Sequence, residues 1–179
     1  MKNSLLFLFF FIFTATYSQK IMTVKNAIVF FEASVPIFEP VAAKNESIGG
    51  VLNVKRGYIS FEIPMKNFRF ERSLMETHFN ENYLETNRFP KATFKGIIEK
   101  FEIKIVTSIP KIFVIKGKIT IHGQSKNITV TGKIKQSEKG IELLSEFSLN
   151  TDDFAIDIPY LVRDKISKNV SVSISSIFQ

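Results

Sequence analysis

The chain has 179 residues, a formal net charge of +7 and no cysteine. That length suits one domain with a core of its own, and the missing thiols exclude disulfides, metal–thiolate sites, a cysteine nucleophile and a lipid-modified cysteine. A basic chain attracts anionic head groups or nucleic acid, but its lysines stand singly along alternating segments, at Lys95, Lys104, Lys116, Lys118, Lys133 and Lys135. Solvated faces look like that, and nucleic acid is not an expected partner.

Residues 1–18 have the pattern of a cleaved secretory signal peptide. Lys2 supplies the positive start, residues 5–13 are an unbroken apolar run, and the small residues Thr16 and Ser18 suit cleavage before Gln19. The run falls well short of the roughly 20 residues a bilayer span requires, so no membrane span is expected after cleavage. Residues 19–179 then form a single domain, periplasmic or secreted, with no linker or low-complexity tract to divide them.

Residues 27–35 read as a strand apolar on both faces, with Val29, Phe31, Ala33 and Val35 on one and Ile28 and Phe30 on the other. Cover on both sides is expected. Residues 36–47 look like a polar connection, and Gly49-Gly50 opens a strand that turns at Arg56-Gly57 into a second with Ile59, Phe61 and Ile63 on one face. This is a hairpin pattern. Phe68 and Phe70 alternate in turn, and a short helix is expected near residues 71–84, where Leu74, Met75, His78 and Phe79 fall on one side. Arg88-Phe89-Pro90 ends it, because proline cannot continue a helix and pushes its predecessor out of the helical region.

Strands resume with Ala92, Phe94, Gly96 and Ile98 on one face, followed by an extended segment over 101–107 and a turn at Ile109-Pro110. A long strand has Phe113, Ile115, Gly117, Ile119 and Ile121 on one face; residues 122–127 turn it into Ile128, Val130, Gly132 and Ile134. Another follows with Ile141, Leu143, Ser145, Phe147 and Leu149 inward. Residues 150–163 form a loop with room for one helical turn, and the alternation of Val170, Val172 and Ile174 with serines closes the chain. Many strands of similar length joined by glycine and polar turns indicate an all-β sandwich or barrel.

Three strands carry a glycine in register with their apolar face: Gly96, Gly117 and Gly132. Such positions mark a bend, or a close approach by another chain or ligand, so they are either barrel corners or empty space reserved inside. An eight-stranded barrel is just wide enough to fill with side chains or to hold one slender ligand. Periodicity does not separate these outcomes.

Catalytic chemistry is hard to find. The two histidines, His78 and His122, lack metal spacing, there is no nucleophile elbow or phosphate-cradling glycine loop, and Asp152 and Asp153 are adjacent, so they cannot share one face of a strand and read as a solvated turn. No enzyme, metal or cofactor is expected. His122 reads as a hydrogen-bonded turn residue. His78 shares the helix's apolar side, where it satisfies backbone groups or meets a ligand head group, with Arg72 near enough in sequence to assist through charge.

Two blocks carry a family resemblance. Met75-x-x-His78-Phe79-Asn80-x-x-x-Leu84 with Phe89-Pro90-x-Ala92-Thr93-Phe94-x-Gly96 is the first, and Gly117-Lys118-Ile119-Thr120-Ile121-His122-Gly123-Gln124-Ser125-Lys126 followed by Ile128-Thr129-Val130-Thr131-Gly132 is the second. In this order and spacing they resemble the YceI-like lipid/polyisoprenoid-binding family, although an Asp-x-x-His-Ser type opening carried by many members is missing. The resemblance implies a lipocalin-like antiparallel barrel of about eight strands that carries or sequesters an isoprenoid quinone or polyprenyl lipid. Phe61, Phe68, Phe70, Leu74, Met75, Phe79, Phe94, Gly96, Phe113, Gly117, Ile119 and Gly132 are then the candidate cavity lining, and Arg72 and His78 the candidate head-group contacts. The alternative is a filled, ligand-free extracytoplasmic interaction or stress-response module, and a homodimer stays open under either reading.

Overall fold

The computed structural model describes residues 21–179; the signal-peptide pattern of residues 1–18 lies outside them. The elements in chain order are β1 (Ile21–Ser34), β2 (Ala42–Asn45), β3 (Gly49–Asn53), β4 (Tyr58–Pro64), β5 (Arg69–Phe70), α1 (Ser73–His78), β6 (Lys91–Ile98), β7 (Lys111–Ile121), β8 (Gln124–Ser137), β9 (Gly140–Asn150) and β10 (Ile166–Phe178). Neighbouring strands pair antiparallel in the circuit β1–β3–β4–β6–β7–β8–β9–β10, and β10 returns to β1 over Val24↔Phe178 through Ser34↔Ile166. The result is a closed barrel of eight strands. β1 is long enough to serve two neighbours: Ile21 to Thr23 pair with β3, while Val29 to Glu32 pair with β2, which in turn carries β5.

Alternation sends one face of every strand inward, and the interior divides into two halves. At one end, large side chains fill the barrel: Leu52, Ile59, Ile98, Ile134, Ile141 and Phe178 are all buried, with Phe178 against Phe61 at 5.7 Å between ring centroids. Residues 99–110 cap this end rather than forming the expected extended strand. β6 and β7 pair directly, so the segment between them has no free edge to join; a 3-10 turn at Ile103–Ile105 lets Phe101 and Val106 drop into the barrel, Phe101 meeting Phe113 at 5.9 Å. The other end is crossed by α1 and by the loops after β1 and β9.

The expected cover on both faces of β1 is not found. Val29 and Ala33 point inward, but Ile28 and Phe30 are each 39% exposed on the outer wall. Residues 36–47 also hold β2, whose Asn45 is fully buried and donates from Nδ2 to the Pro64 carbonyl at 2.8 Å, linking β2 to the end of β4.

The β7–β8 connection is tighter than expected. It has two residues, His122 (φ 49°) and Gly123 (φ 73°), both left-handed as a type I′ hairpin demands. Histidine is among the residues that accept this region more readily than most. Its ring is thereby aimed at two neighbouring loops: Nδ1 donates to the Phe154 carbonyl at 3.1 Å, Nε2 lies 2.9 Å from the Glu85 carboxylate, and Phe89 packs edge-on at 4.6 Å. The two sequence blocks that carry the family resemblance meet here.

Because the filled end supplies the tightest packing, truncation there should cost most. Phe178→Ala is expected to lower stability by about 3–5 kcal/mol, and Val172→Ala, facing the other half, by clearly less. Urea unfolding of the two variants measures the difference.

Candidate functional site

The half of the barrel under α1 is hollow. Its cavity has a volume of about 530 Å³ and is open at the helix end of the barrel. Inward residues of the strands form its wall: Val29, Phe31 and Ala33 from β1, Phe61 and Ile63 from β4, Ala92 and Phe94 from β6, Ile115, Ile119 and Ile121 from β7, Leu143, Phe147 and Leu149 from β9, and Val170, Val172 and Ile174 from β10. Ser145 breaks the hydrocarbon, but its hydroxyl donates to the Thr131 carbonyl at 2.7 Å and so needs nothing from a ligand.

The helix closes part of the mouth because of how the sequence anchors it. α1 has only six residues and no side-chain N-cap, so tertiary contacts must hold it. Phe79 follows directly in a π-helical turn, Phe79–Tyr83, and its ring is buried among Phe31, Phe68 and Phe70 at centroid distances of 5.6, 5.6 and 5.1 Å. The Glu76 carboxylate accepts from Arg69 Nη1 at 2.8 Å and from the Phe70 backbone N–H at 3.3 Å, clamping the helix to β5. The turn closes with the Leu84 backbone N–H donating to the Phe79 carbonyl at 2.9 Å, and the Asn80 carbonyl accepts the Thr86 backbone N–H at 2.8 Å.

Of the residues singled out in the sequence, Phe61, Phe68, Phe70, Met75, Phe79, Phe94, Ile119 and His78 all face the cavity. Leu74 does not: it is 64% exposed on the outer side of the helix, because a six-residue helix flush with the rim can turn only Met75 and His78 inward. Phe113 belongs to the filled end. Arg72 stands outside the cavity in an ion pair with Glu39, whereas His78 and Glu39 both reach the mouth. Charged and polar groups gather there, with Lys165 from the far loop, Ser167 at the start of β10 and Tyr83 on the helix side. Burial pushes the Tyr83 phenol up, so it presents a neutral hydroxyl.

The three glycines do not leave vacant space. Gly96 and Gly117 face each other across β6 and β7, and the Phe94 ring lies over both: a Cβ would come within 2.7 Å of it at Gly96 and 2.6 Å at Gly117. Gly132 is covered in the same way by Leu143 and Ile115. Glycine here lets a neighbouring side chain lie flat, and Phe94 is the surface a ligand would meet. Residues that the sequence reading did not select, above all Val170, Val172 and Ile174 of β10 and Ile156, Ile158 and Val162 of the loop before it, complete the wall. The β10 alternation was visible; the loop residues had no periodic signal.

Among the described residues, no group of three His, Asp or Glu side chains is placed to hold a metal ion, and no helix is long and apolar enough to cross a membrane.

The YceI-like domain model matches residues 12–178. The chain belongs to the YceI-like domain family. Its fold is similar to that of a polyisoprenoid-binding domain from Saccharophagus degradans, at 12% identity and a TM-score of 0.78 over 88% of this chain and 97% of that one. BcnA from Burkholderia cenocepacia matches with 14% identity and a TM-score of 0.68 over 84% and 94% of the two chains. The YceI protein of Campylobacter jejuni does so with 16% identity and a TM-score of 0.58 over 74% and 80%. A comparison with curated protein sequences gives no match.

Gly117→Ala tests the packing under the cavity wall. Its Cβ would lie 2.5 Å from the Lys95 carbonyl oxygen as well as against Phe94, so a destabilisation of about 1–3 kcal/mol is expected. Relieving the ring alone, in Gly117→Ala/Phe94→Leu, should restore only part of it, as urea unfolding would register.

Proposed function

We propose that the protein is an exported, non-catalytic carrier that holds the apolar tail of an amphiphile in the hollow half of the barrel, with the tail an isoprenoid chain of a quinone or polyprenyl lipid. The observation that carries this reading is the distribution of polarity in the cavity. Hydrocarbon side chains line its depth, and Glu39, Lys165 and the His78 imidazole stand at the mouth. A tail enters such a site and a head group stays at the rim.

Size supports a particular length. An apolar cavity of roughly 150 Å³ accepts one benzene, so about 530 Å³ corresponds to roughly twenty carbons, or about four isoprene units. Each buried methylene is worth roughly 0.8 kcal/mol, and a tail of that size offsets the several kcal/mol lost on association. The wall offers few hydrogen bonds in its depth, so discrimination rests on the length and girth of the tail. At the rim, His78 and the Tyr83 hydroxyl are placed to contact a carbonyl or hydroxyl head, while Arg72 is occupied by Glu39. The polyisoprenoid-binding domain of similar fold and the pattern in residues 1–18 are consistent with this role and with export to the periplasm or beyond.

Native mass spectrometry of the mature protein, purified without detergent from exporting cells, should find a stoichiometric extra mass that solvent extraction releases as an isoprenoid. Calorimetric titration with quinones of increasing tail length should show affinity rising up to about four units and then levelling, since further units stay outside a volume of this size. Val172→Phe, which fills the wall, should abolish uptake while unfolding remains cooperative. A wild-type protein that stays ligand-free after incubation with quinones and polyprenyl phosphates would leave a ligand-free interaction module as the better account.

A further inference from the structure

We propose that the rim of the mouth is a membrane-docking surface, on which Ile37, Tyr160 and Leu161 enter the boundary between head groups and acyl chains of a bilayer. The inference rests on the carrier reading for its purpose, while its evidence is separate.

Strand pairing puts these residues together. Ser34 at the end of β1 pairs with Ile166 at the start of β10, so the loop of residues 35–41 and the loop of residues 159–165 leave the barrel side by side. Both loops turn side chains inward, Phe38 and Val41 from the first and Val162 from the second, and thrust others outward: Ile37 is 98% exposed, Leu161 87% and Tyr160 82%. None of these three lines the cavity. Leu74, 64% exposed, extends the same apolar rim on the helix, which the Arg72–Glu39 ion pair ties to the first loop.

Ile37 is the decisive residue. Its φ is 72°, a left-handed conformation that a β-branched side chain strongly resists, and full exposure means that no packing within the chain compensates. Strain at an exposed loop tip points to a contact outside the molecule.

The geometry also selects the occupant. Three side chains on two loop tips cannot supply the roughly 800 Å² that a stable protein partner buries on each side. A fluid interface needs no matching shape, and isolated Ile, Leu and Tyr side chains suit it, tyrosine with its ring in the apolar layer and its hydroxyl among head groups. The charges on the two loops cancel, with Glu39 and Asp164 against Arg163 and Lys165, so nothing there repels a head-group layer. The chain as a whole, at +7, is drawn to an anionic leaflet. Docked in this way, the cavity opens onto the bilayer and an apolar tail can pass without crossing water.

Co-sedimentation of the mature protein with phosphatidylcholine vesicles, with and without phosphatidylglycerol, tests the surface directly. Binding to both is expected, tighter on the anionic vesicles, and Ile37→Glu/Leu161→Glu should weaken it at least tenfold without changing uptake of N-phenylnaphthylamine from solution. Ile37→Gly separates docking from folding: glycine suits the positive φ, so the unfolding midpoint should rise while vesicle binding falls. Failure of the wild type to sediment, or sedimentation of the double variant like the wild type, overturns the docking surface. Rim-dependent sedimentation without dye uptake would sustain it and sink the carrier reading instead.

Discussion

Everything in this molecule depends on the pairing of its first strand with its last. β1 and β10 run antiparallel from Val24↔Phe178 to Ser34↔Ile166, and without that ladder the sheet would have two long free edges, prone to pair with other chains. Closure also sets the girth. Eight strands enclose a space that side chains can fill, and also one that they can leave open; this barrel does both, at opposite ends. The same pairing brings the loops after β1 and before β10 together, so the mouth of the hollow half is fixed by the step that closes the barrel.

The two halves differ in the placement of side chains more than in their kind. Phenylalanines occur in both. In the filled half, Phe101, Phe113 and Phe178 point across the barrel with Leu52, Ile59, Ile98, Ile134 and Ile141 between them. In the hollow half the rings are drawn back to the wall. Phe31, Phe68, Phe70 and Phe79 crowd into one cluster that anchors the helix, and Phe94 lies flat over Gly96 and Gly117. Two glycines thus make room by letting a ring lie down, and the π-helical turn makes room by directing Phe79 sideways into its cluster. Such turns often mark functional segments in helices.

Much of this arrangement could be read from the residues. Alternation located the strands and their inward faces, and Met75 and Phe79 were legible as the buried side of a short helix. Other features were not, for physical reasons. Ile28 and Phe30 looked covered because an apolar strand does not record whether another layer lies beyond it. Residues 101–107 looked extended because their apolar spacing is the same in a strand and in a cap; only the direct pairing of β6 with β7 decides against the strand. Inward glycines left barrel corners and empty space as equal alternatives, since sequence does not show which neighbouring ring lies over a missing Cβ. Leu74 was assigned to the wrong side because the helix is too short to bury a full stripe. The wall contributed by Ile156, Ile158 and Val162 has no period at all, and depends on where the loop returns to β10.

The hollow half carries an energetic argument of its own. Voids dug into a packed core cost about 24 cal/mol per Å³, so an empty space of about 530 Å³ would by that rule cost on the order of 10 kcal/mol, comparable to the whole stability of a domain. The wall therefore cannot be supported by packing across the cavity. It is supported along the strands, where the β7–β8 ladder (Lys111↔Ile134 to Ile121↔Gln124) and the β9–β10 ladder (Ile141↔Phe178 to Asn150↔Asn169) run on from the filled end while the β8–β9 ladder stops at Gly132↔Ser145, and by the His122 contacts that tie three loops together at the other. A frame of that kind supports the wall without packing across the space. Anything that enters recovers the missing dispersion contacts, so occupation stabilises the fold in proportion to the apolar volume filled. Affinity for an apolar occupant and the stability that occupant adds to the barrel are then linked.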